Sequence, residues 1–171
     1  TIIIPVVNRY DLLNRAIRSI PRTDRLIIID NGRGIEHATS LDSLRDHDGI
    51  RETHILSMPE SLSVAASWNL GIKTTPSSPM GWLLLNSDAW FHDGAFDAFE
   101  SATSTEKITL GGQPGWCCAF IGANVVSRVG LFCERFHPAY MEDVDYERRA
   151  ILHGIDVTHS DALRSEEHTS E

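Results

Sequence analysis

Three places in this chain set oxygen ligands and titratable groups where they could do chemistry. Met141-Glu142-Asp143-Val144-Asp145-Tyr146-Glu147-Arg148-Arg149 puts four carboxylates and two guanidiniums into nine residues, just after the aromatic, proline-broken run Phe136-His137-Pro138-Ala139-Tyr140. The segment continues through Ala150, Ile151 and Leu152 to Gly154, which reads as a helix closed by a glycine. Its acids then fall in the first turn, where the helix dipole favours negative charge. A carboxylate held there can stay ionised as a general base, or can face a cationic or metal-bearing ligand. A solvated, charged helix start is the competing reading. Two more acids end apolar runs. Asp30 follows Leu26-Ile27-Ile28-Ile29, well placed to accept hydrogen bonds from a ribose or a base. Asn86-Ser87-Asp88 follows Met80 to Leu85, and oxygen ligands delivered by so apolar a strand suit Mg²⁺ or Mn²⁺ bridging phosphates. For both, the alternative is a turn-forming residue that caps its own loop.

The elements that must position these acids alternate in type. Thr1 to Val7 is continuously apolar, as a strand covered on both faces would be. A helix follows, with Leu12, Leu13, Ala16, Ile17 and Ile20 on one stripe and Pro21 past its end. Arg25 to Asp30 is a second buried strand, ending in the turn-forming Asp30-Asn31-Gly32-Arg33-Gly34. A weaker helix through Leu41 and Leu44 leads to a third strand near Thr53 to Ser57. Ser61 to Thr74 reads as a helix with Ala65, Trp68 and Ile72 inward, and Met80 to Asn86 as a fourth strand. Trp116 to Ile121 is a further candidate strand, with a short helix near Asn124 to Val129. This alternation predicts one open α/β sheet with helices on both faces. Ligands of such sheets bind at the carboxyl ends of the strands, which gathers Pro5 to Arg9, Asp30 to Gly34 and Asn86 to Asp88 around one crevice. The first loop has neither G-x-G-x-x-G nor G-x-x-x-x-G-K-[ST], so a dinucleotide fold and a P-loop are unsupported.

The chain has 171 residues and a net charge of −9, enough for one domain with a sizeable core and too acidic for nucleic acid to be its main partner. No apolar run approaches the ~20 residues of a membrane span, and no signal peptide is visible. With no initiator Met, the chain is expected to start inside a longer protein. Arg164 to Glu171 reads like a translated sequencing adapter, outside fold reasoning. Without it, 14 basic residues face 21 acidic ones, so the balance stays acidic. Cys117, Cys118 and Cys133 have no metal-ligand or framework spacing, and the adjacent pair would face opposite ways on a strand. A reduced, cytoplasmic setting is the default, at the inner face of the membrane if the acceptor is lipid-linked.

Taken in order, these segments resemble a family. Val6-Val7-Asn8-Arg9, Ile28-Ile29-Asp30-Asn31-Gly32, Ala66-Ser67-Trp68-Asn69-Leu70-Gly71-Ile72 and Leu83-Leu84-Leu85-Asn86-Ser87-Asp88 have the order and spacing of a family 2 glycosyltransferase with the GT-A fold. Gly130 to Phe136, Pro138 to Tyr146 and Arg149 to Gly154 extend the resemblance over nearly all of residues 1–163. It implies a single Rossmann-like, open, mostly parallel sheet and a site for a UDP-, dTDP- or GDP-linked sugar. The donor would lie against Pro5, Val7, Asn8, Arg9, Asn69, Asn86, Ser87 and Arg149, with Asp30 holding a uracil or thymine nucleoside. Asp88 matches the last acid of the family's D-x-D motif, the carrier of Mg²⁺ or Mn²⁺. Asp143 matches the general base that deprotonates an acceptor hydroxyl, with Glu142 in support, and the reaction implied is inverting. The acceptor would be a carbohydrate or a lipid-linked molecule in polysaccharide or glycoconjugate synthesis.

The sequence departs from that pattern in places. Asn86 replaces the first Asp of D-x-D and leaves one metal carboxylate instead of two. Arg33 stands where a small hydroxyl residue is usual, and Ser61 and Ser63 stand where Asn and Gly are common. The family's downstream His would fall where the adapter-like tail begins, and His168 does not replace it. Arg149 could pair with a carboxylate or with the diphosphate, a structural salt bridge being the ordinary role of such a residue. Trp82 and Trp90 could wall a sugar site, although aromatic residues so placed are usually core. His92, His137 and His153 lack a zinc-ligand spacing. Two alternatives stay open: a non-catalytic nucleotide-sugar-binding remnant, and a sugar nucleotidyltransferase. The latter calls for a Gly-rich, basic first loop, which Pro5-Val6-Val7-Asn8-Arg9 does not supply.

Overall fold

The structure is a computed structural model that describes residues 1–35, 47–112, 115–160 and 163–165. Its framework is a 7-stranded sheet in the order β3-β2-β1-β4-β7-β6-β8, with a 2-stranded sheet of β5 and β9 beside it. The strands are β1 (Ile2–Val6), β2 (Thr23–Asp30), β3 (Ile50–Ser57), β4 (Gly81–Leu85), β5 (Ala89–Phe91), β6 (Ile108–Gly111), β7 (Cys118–Gly122), β8 (Val157–Ser160) and β9 (Leu163–Ser165). The helices are α1 (Tyr10–Arg18), α2 (Val64–Thr74), α3 (Ala95–Ser101), α4 (Ala123–Val129) and α5 (Glu142–Leu152). Among the seven strands only β7 runs against its neighbours, so the sheet is mostly parallel as expected.

Strand alternation splits the core into two layers. Ile2, Ile4 and Val6 of β1, Leu26 and Ile28 of β2, and Leu83 and Leu85 of β4 face Leu13, Ala16 and Ile17 of α1 and Phe96 and Phe99 of α3. Ile3, Ile27, Ile29, Trp82 and Leu84 face the other way, onto Trp68 and Ile72 of α2, Val125 of α4 and Tyr146 and Ala150 of α5. With helices on both faces, the central strands need no polar side, which explains their unbroken apolar runs. Gly71 lets α2 close down on β1, since a Cβ there would lie 2.6 Å from the Ile3 side chain. Ser63 caps α2 by accepting the Ala66 N–H at 3.1 Å. At the end of α5, Gly154 takes a left-handed φ of 67° while its N–H bonds Ile151 O and the Ile155 N–H bonds Ala150 O. This is a Schellman closure, and it bears out the helix end expected at that glycine.

The chain runs outward from β1 to β2 to β3, then returns to β4 on the other side of β1. The sheet thus changes direction between the carboxyl ends of β1 and β4, and a crevice opens where connections leave opposite ways. Several sequence expectations need adjustment. Cys117 closes a 3₁₀ turn rather than opening a strand, so it and Cys118 pack into one core layer instead of facing opposite ways. Trp82 and Trp90, by contrast, are core residues as the sequence favoured: the Trp82 indole donates to Thr75 Oγ1 at 2.9 Å, and Trp90 lies under the Arg15 guanidinium at 3.5 Å. The helix expected through Leu41 and Leu44 lies outside the described residues. β9 pairs antiparallel with β5, Ser165 lying opposite Ala89.

Candidate active site

One side of the crevice is a knot of short hydrogen bonds. The Tyr10 hydroxyl, at the start of α1, donates to Asp30 Oδ1 at 2.7 Å, lies 3.2 Å from Val7 O, and accepts the Gly34 N–H at 2.8 Å. Asp30 is fully buried and also accepts the N–H groups of Gly32 (3.2 Å) and Ile35 (3.3 Å). Burial, with Asp30 beside it, holds the Tyr10 phenol above its ordinary pKa. Asn31 is buried too: its Nδ2 donates to Ser67 Oγ at 3.0 Å and its Oδ1 accepts Leu62 N–H at 2.9 Å. Gly32 passes so close to the first loop that a Cβ would lie 1.5 Å from Val7 O. Asp30, the expected nucleoside ligand, is thus fully buried, with three hydrogen bonds tying its oxygens to Tyr10 and to its own loop.

Around this knot the surface is open. Val7, Asn8 and Arg9 are exposed and Pro5 is half-buried at the end of β1. Arg9 holds Asp11 bidentately at 2.9 and 2.7 Å, which lowers the Asp11 carboxyl to about 2. Arg33 has a left-handed φ of 56° and donates through Nε to Met58 O at 3.0 Å.

The other side is the end of β4. Asn86 donates its N–H to Cys117 O at 2.8 Å and accepts Ala89 N–H at 3.2 Å, so Asn86-Ser87-Asp88 forms a tight turn. All three side chains are half-buried, and no protein hydrogen bond or ion pair reaches the Asp88 carboxylate among the described residues. Those residues contain no cluster of three or more His, Cys, Asp or Glu suited to a metal. A single unspent carboxylate still fits Mg²⁺ or Mn²⁺, which keep several waters and take their other ligands from phosphates.

The third wall is the mouth of α5. Tyr140 and Met141 have φ of 78° and 75°, two consecutive L residues in left-handed conformation, and Tyr140 is 83% exposed. Glu142 follows at 5% exposure, and its Oε2 has no partner among the described residues. Burial pushes the Glu142 carboxyl up, and the neighbouring Asp143 adds to the effect. Asp143 is half-buried, with Oδ1 accepting Val144 N–H at 2.7 Å. Asp145, Glu147 and Arg149 of the cluster are tied into the surrounding structure. Arg149 donates to Asp145 Oδ2 (2.9 Å), Val129 O (3.0 Å) and Leu131 O (3.0 Å). Asn69 is buried and clasps the same connection, donating to Phe132 O (3.0 Å) and Glu134 Oε1 (2.7 Å) and accepting Phe132 N–H (2.9 Å). Both Asn69 N–H groups are thus committed to residues 132 and 134, whereas Arg149 keeps one N–H on each Nη beyond the bonds to residues 129 and 131.

Trp116 joins the second and third walls. Its indole donates to Glu147 Oε2 of α5 at 2.9 Å, and its ring packs on Trp68 (6.5 Å), Phe132 (6.0 Å) and Tyr146 (6.2 Å). The next residue, Cys117, takes the Asn86 N–H. The mouth of α5 is also tied to the start of α2, because Val64 N–H donates to Pro138 O at 3.1 Å. Asp88 and Asp143 are thus carried by elements braced on a common bracket. Sequence reasoning missed Tyr10, Asn31 and Trp116 as organisers of the site. For Trp116 a signal was present, since Gly111, Gly112 and Gly115 mark a loop just before it.

In sequence the chain matches no protein-family model and no curated protein. In structure it is similar to the mannosyltransferase PcManGT from Pyrobaculum calidifontis, solved with GDP-Man and Mn²⁺, with a TM-score of 0.70 at 13% identity. That match covers 94% of this chain but 54% of the other, so the chain spans about half the length of PcManGT. It is also similar to the catalytic domain of Drosophila β1,4-galactosyltransferase 7 in complex with xylobiose (TM-score 0.61, 11% identity, covering 99% of this chain and 72% of that one). A mutant of the Drosophila enzyme with manganese, UDP-Gal and xylobiose gives a TM-score of 0.60 at 10% identity, covering 96% and 69%. At these identities the likeness establishes the fold: a single, mostly parallel sheet of the GT-A type with helices on both faces.

Proposed function

We propose that this chain transfers a sugar from a nucleoside-diphosphate donor to an acceptor hydroxyl with inversion at the anomeric carbon. What supports this reading is Asp88, a half-buried strand-end carboxylate with no protein partner among the described residues, together with Asp143 in the first turn of α5. The GT-A type fold supports it, as does the fit of a single free carboxylate to a divalent ion that prefers phosphate oxygens. Pro5, Val7, Asn8, Arg9, Asn86 and Ser87 are the donor's contact surface. Asp30, Asn69 and Arg149 serve it from behind, through the loops they hold.

Asp143 accepts the proton of the acceptor hydroxyl, and that oxygen forms a bond to the anomeric carbon as the bond from carbon to diphosphate breaks. Asp143 lies in the first turn of α5, half-buried beside the acceptor side of the site proposed here. Asp88 would hold Mg²⁺ or Mn²⁺, whose charge offsets that of the departing diphosphate. The buried Glu142 sets the backbone from which Asp143 projects. The acceptor class is carbohydrate or lipid-linked, and the setting is the cytoplasm at the inner face of the membrane. No helix among the described residues is long and apolar enough to cross a membrane.

The test is turnover of UDP-, GDP- and dTDP-sugars with Mn²⁺ or Mg²⁺, reading free nucleotide and transferred sugar. Asp143→Asn should keep nucleotide binding and lose about 10²- to 10⁴-fold in rate, the usual worth of a general base. Asp88→Asn should remove the dependence of nucleotide binding on the metal. Binding of a donor with neither hydrolysis nor transfer would identify a nucleotide-sugar-binding remnant, and sugar-phosphate activation by a nucleoside triphosphate a nucleotidyltransferase.

A further inference from the structure

The loop that closes over β2 leaves one side chain with unspent hydrogen-bonding capacity. Asp30 is consumed by Tyr10, Gly32 and Ile35, and Asn31 by Ser67 and Leu62. The Tyr10 hydroxyl donates to Asp30 and accepts from Gly34. Gly32 and Gly34 have no side chains, and their packing leaves no room for any: a Cβ on Gly34 would lie 2.4 Å from the Tyr10 ring. Arg33 between them is exposed, with a left-handed backbone. One hydrogen bond, from Nε to Met58 O, anchors the guanidinium across the ends of β2 and β3. Nη1 and Nη2 have no partner among the described residues.

We propose that Arg33 reads the nucleobase of the donor and thereby selects guanine. The inference rests on the donor-site reading above and deepens it. A guanidinium offers only donors, in a planar fork that matches two adjacent acceptors. Guanine presents such a pair in O6 and N7, the partners of the commonest bidentate arginine contact to a base. Uracil and thymine place an N–H between their two carbonyls, so their reader must also supply an acceptor. The carboxylate best placed for that, Asp30, is buried and bonded within its own loop. Guanine at Arg33 is thus an alternative to the uracil or thymine nucleoside expected at Asp30, and titration with the nucleotides decides between them. Its anchored Nε keeps the fork preorganised, which lowers the entropy lost on binding.

Calorimetric titration of the chain with GDP, UDP and dTDP in the presence of Mn²⁺ tests this directly. GDP should bind about 5- to 150-fold more tightly than either pyrimidine nucleotide, the discrimination of one bidentate pair. Arg33→Lys keeps the charge but loses the fork, and Arg33→Asn suits the left-handed backbone while losing both. Both variants should erase the guanine preference and move UDP affinity by less than about threefold, since a single base contact is at stake. UDP or dTDP binding as tightly as GDP overturns the role of Arg33, points to the exposed Asn8 amide, and leaves the transferase reading intact. A GDP preference that survives both substitutions overturns it equally. Failure of all three nucleotides to bind overturns this inference and the proposed function together.

Discussion

Glu142→Gln should raise stability at neutral and alkaline pH and leave it unchanged in acid. Glu142 is 5% exposed, its Oε2 meets no donor, and burial together with Asp143 holds its carboxyl above the ordinary range. The folded protein therefore keeps this proton to higher pH than the unfolded chain does. Between the ordinary and the raised pKa the native state binds more protons, so stability falls as pH rises through that window, and the full cost is present above it. Gln removes the charge but keeps an unpaired polar atom; relieving that as well, as Glu142→Met does, is worth about 1–3 kcal/mol. For a chain of this length that corresponds to a midpoint shift of about 2–4 °C per kcal/mol. Scanning calorimetry of the parent and Glu142→Gln from about pH 4 to 8, beginning below the usual glutamate pKa, measures it. Glu142→Met, which removes the polar atoms altogether, should gain stability with the same pH trend. The two variants should also lose transfer activity, as groups kept at a cost in stability commonly serve function. If both variants were less stable than the parent at pH 8, or if the difference did not shrink toward acid, the reasoning about the orphaned carboxyl would be wrong.

Two other outcomes follow from the hydrogen-bond network. Asn69→Ala strips the partners from the Phe132 N–H and C=O and from Glu134, and should cost about 2–4 kcal/mol in urea unfolding, in line with buried groups left unpaired; a loss under about 0.5 kcal/mol, the scale of an ordinary surface change, would show that the clasp is not structural. Trp116→Phe keeps the ring contacts but loses the bond to Glu147, and should lower kcat by roughly tenfold with donor KM nearly unchanged, because small misplacements of a base are costly. An unchanged kcat would remove Trp116 as the bracket between Asp88 and Asp143.

The parts of the fold legible in the sequence are those whose signal is local and long. The buried strands β1, β2 and β4 are unbroken apolar runs, α2 carries its cap at Ser63, and α5 announces both its acidic first turn and its glycine closure. Four of the short elements were not legible. β5, α3, β6 and β8 have three to seven residues each, too few for a periodicity to stand out. The 3₁₀ turn at Gly115–Cys117 likewise broke the strand expected from Trp116.

What the sequence determined by itself is the chemistry available: a strand-end Asp88 beside Asn86, an Asp143 in the first turn of a helix, a buried strand ending at Asp30, and an acidic balance that disfavours nucleic acid. What only the tertiary structure decided is which of these groups is free. Asp30 and Asp88 look alike in sequence, each an acid after an apolar strand. Asp30 is spent because Tyr10, 20 residues away, folds back to donate to it, whereas no protein donor among the described residues reaches Asp88. Asn69 is committed to partners 63 and 65 residues on, and Arg149 to carbonyls 18 and 20 residues back. Burial makes these bonds obligatory, since a polar group removed from water must find its partner inside the protein. Sequence spacing carries the identity and local direction of a side chain, but the partner it finds across the fold depends on how the layers pack.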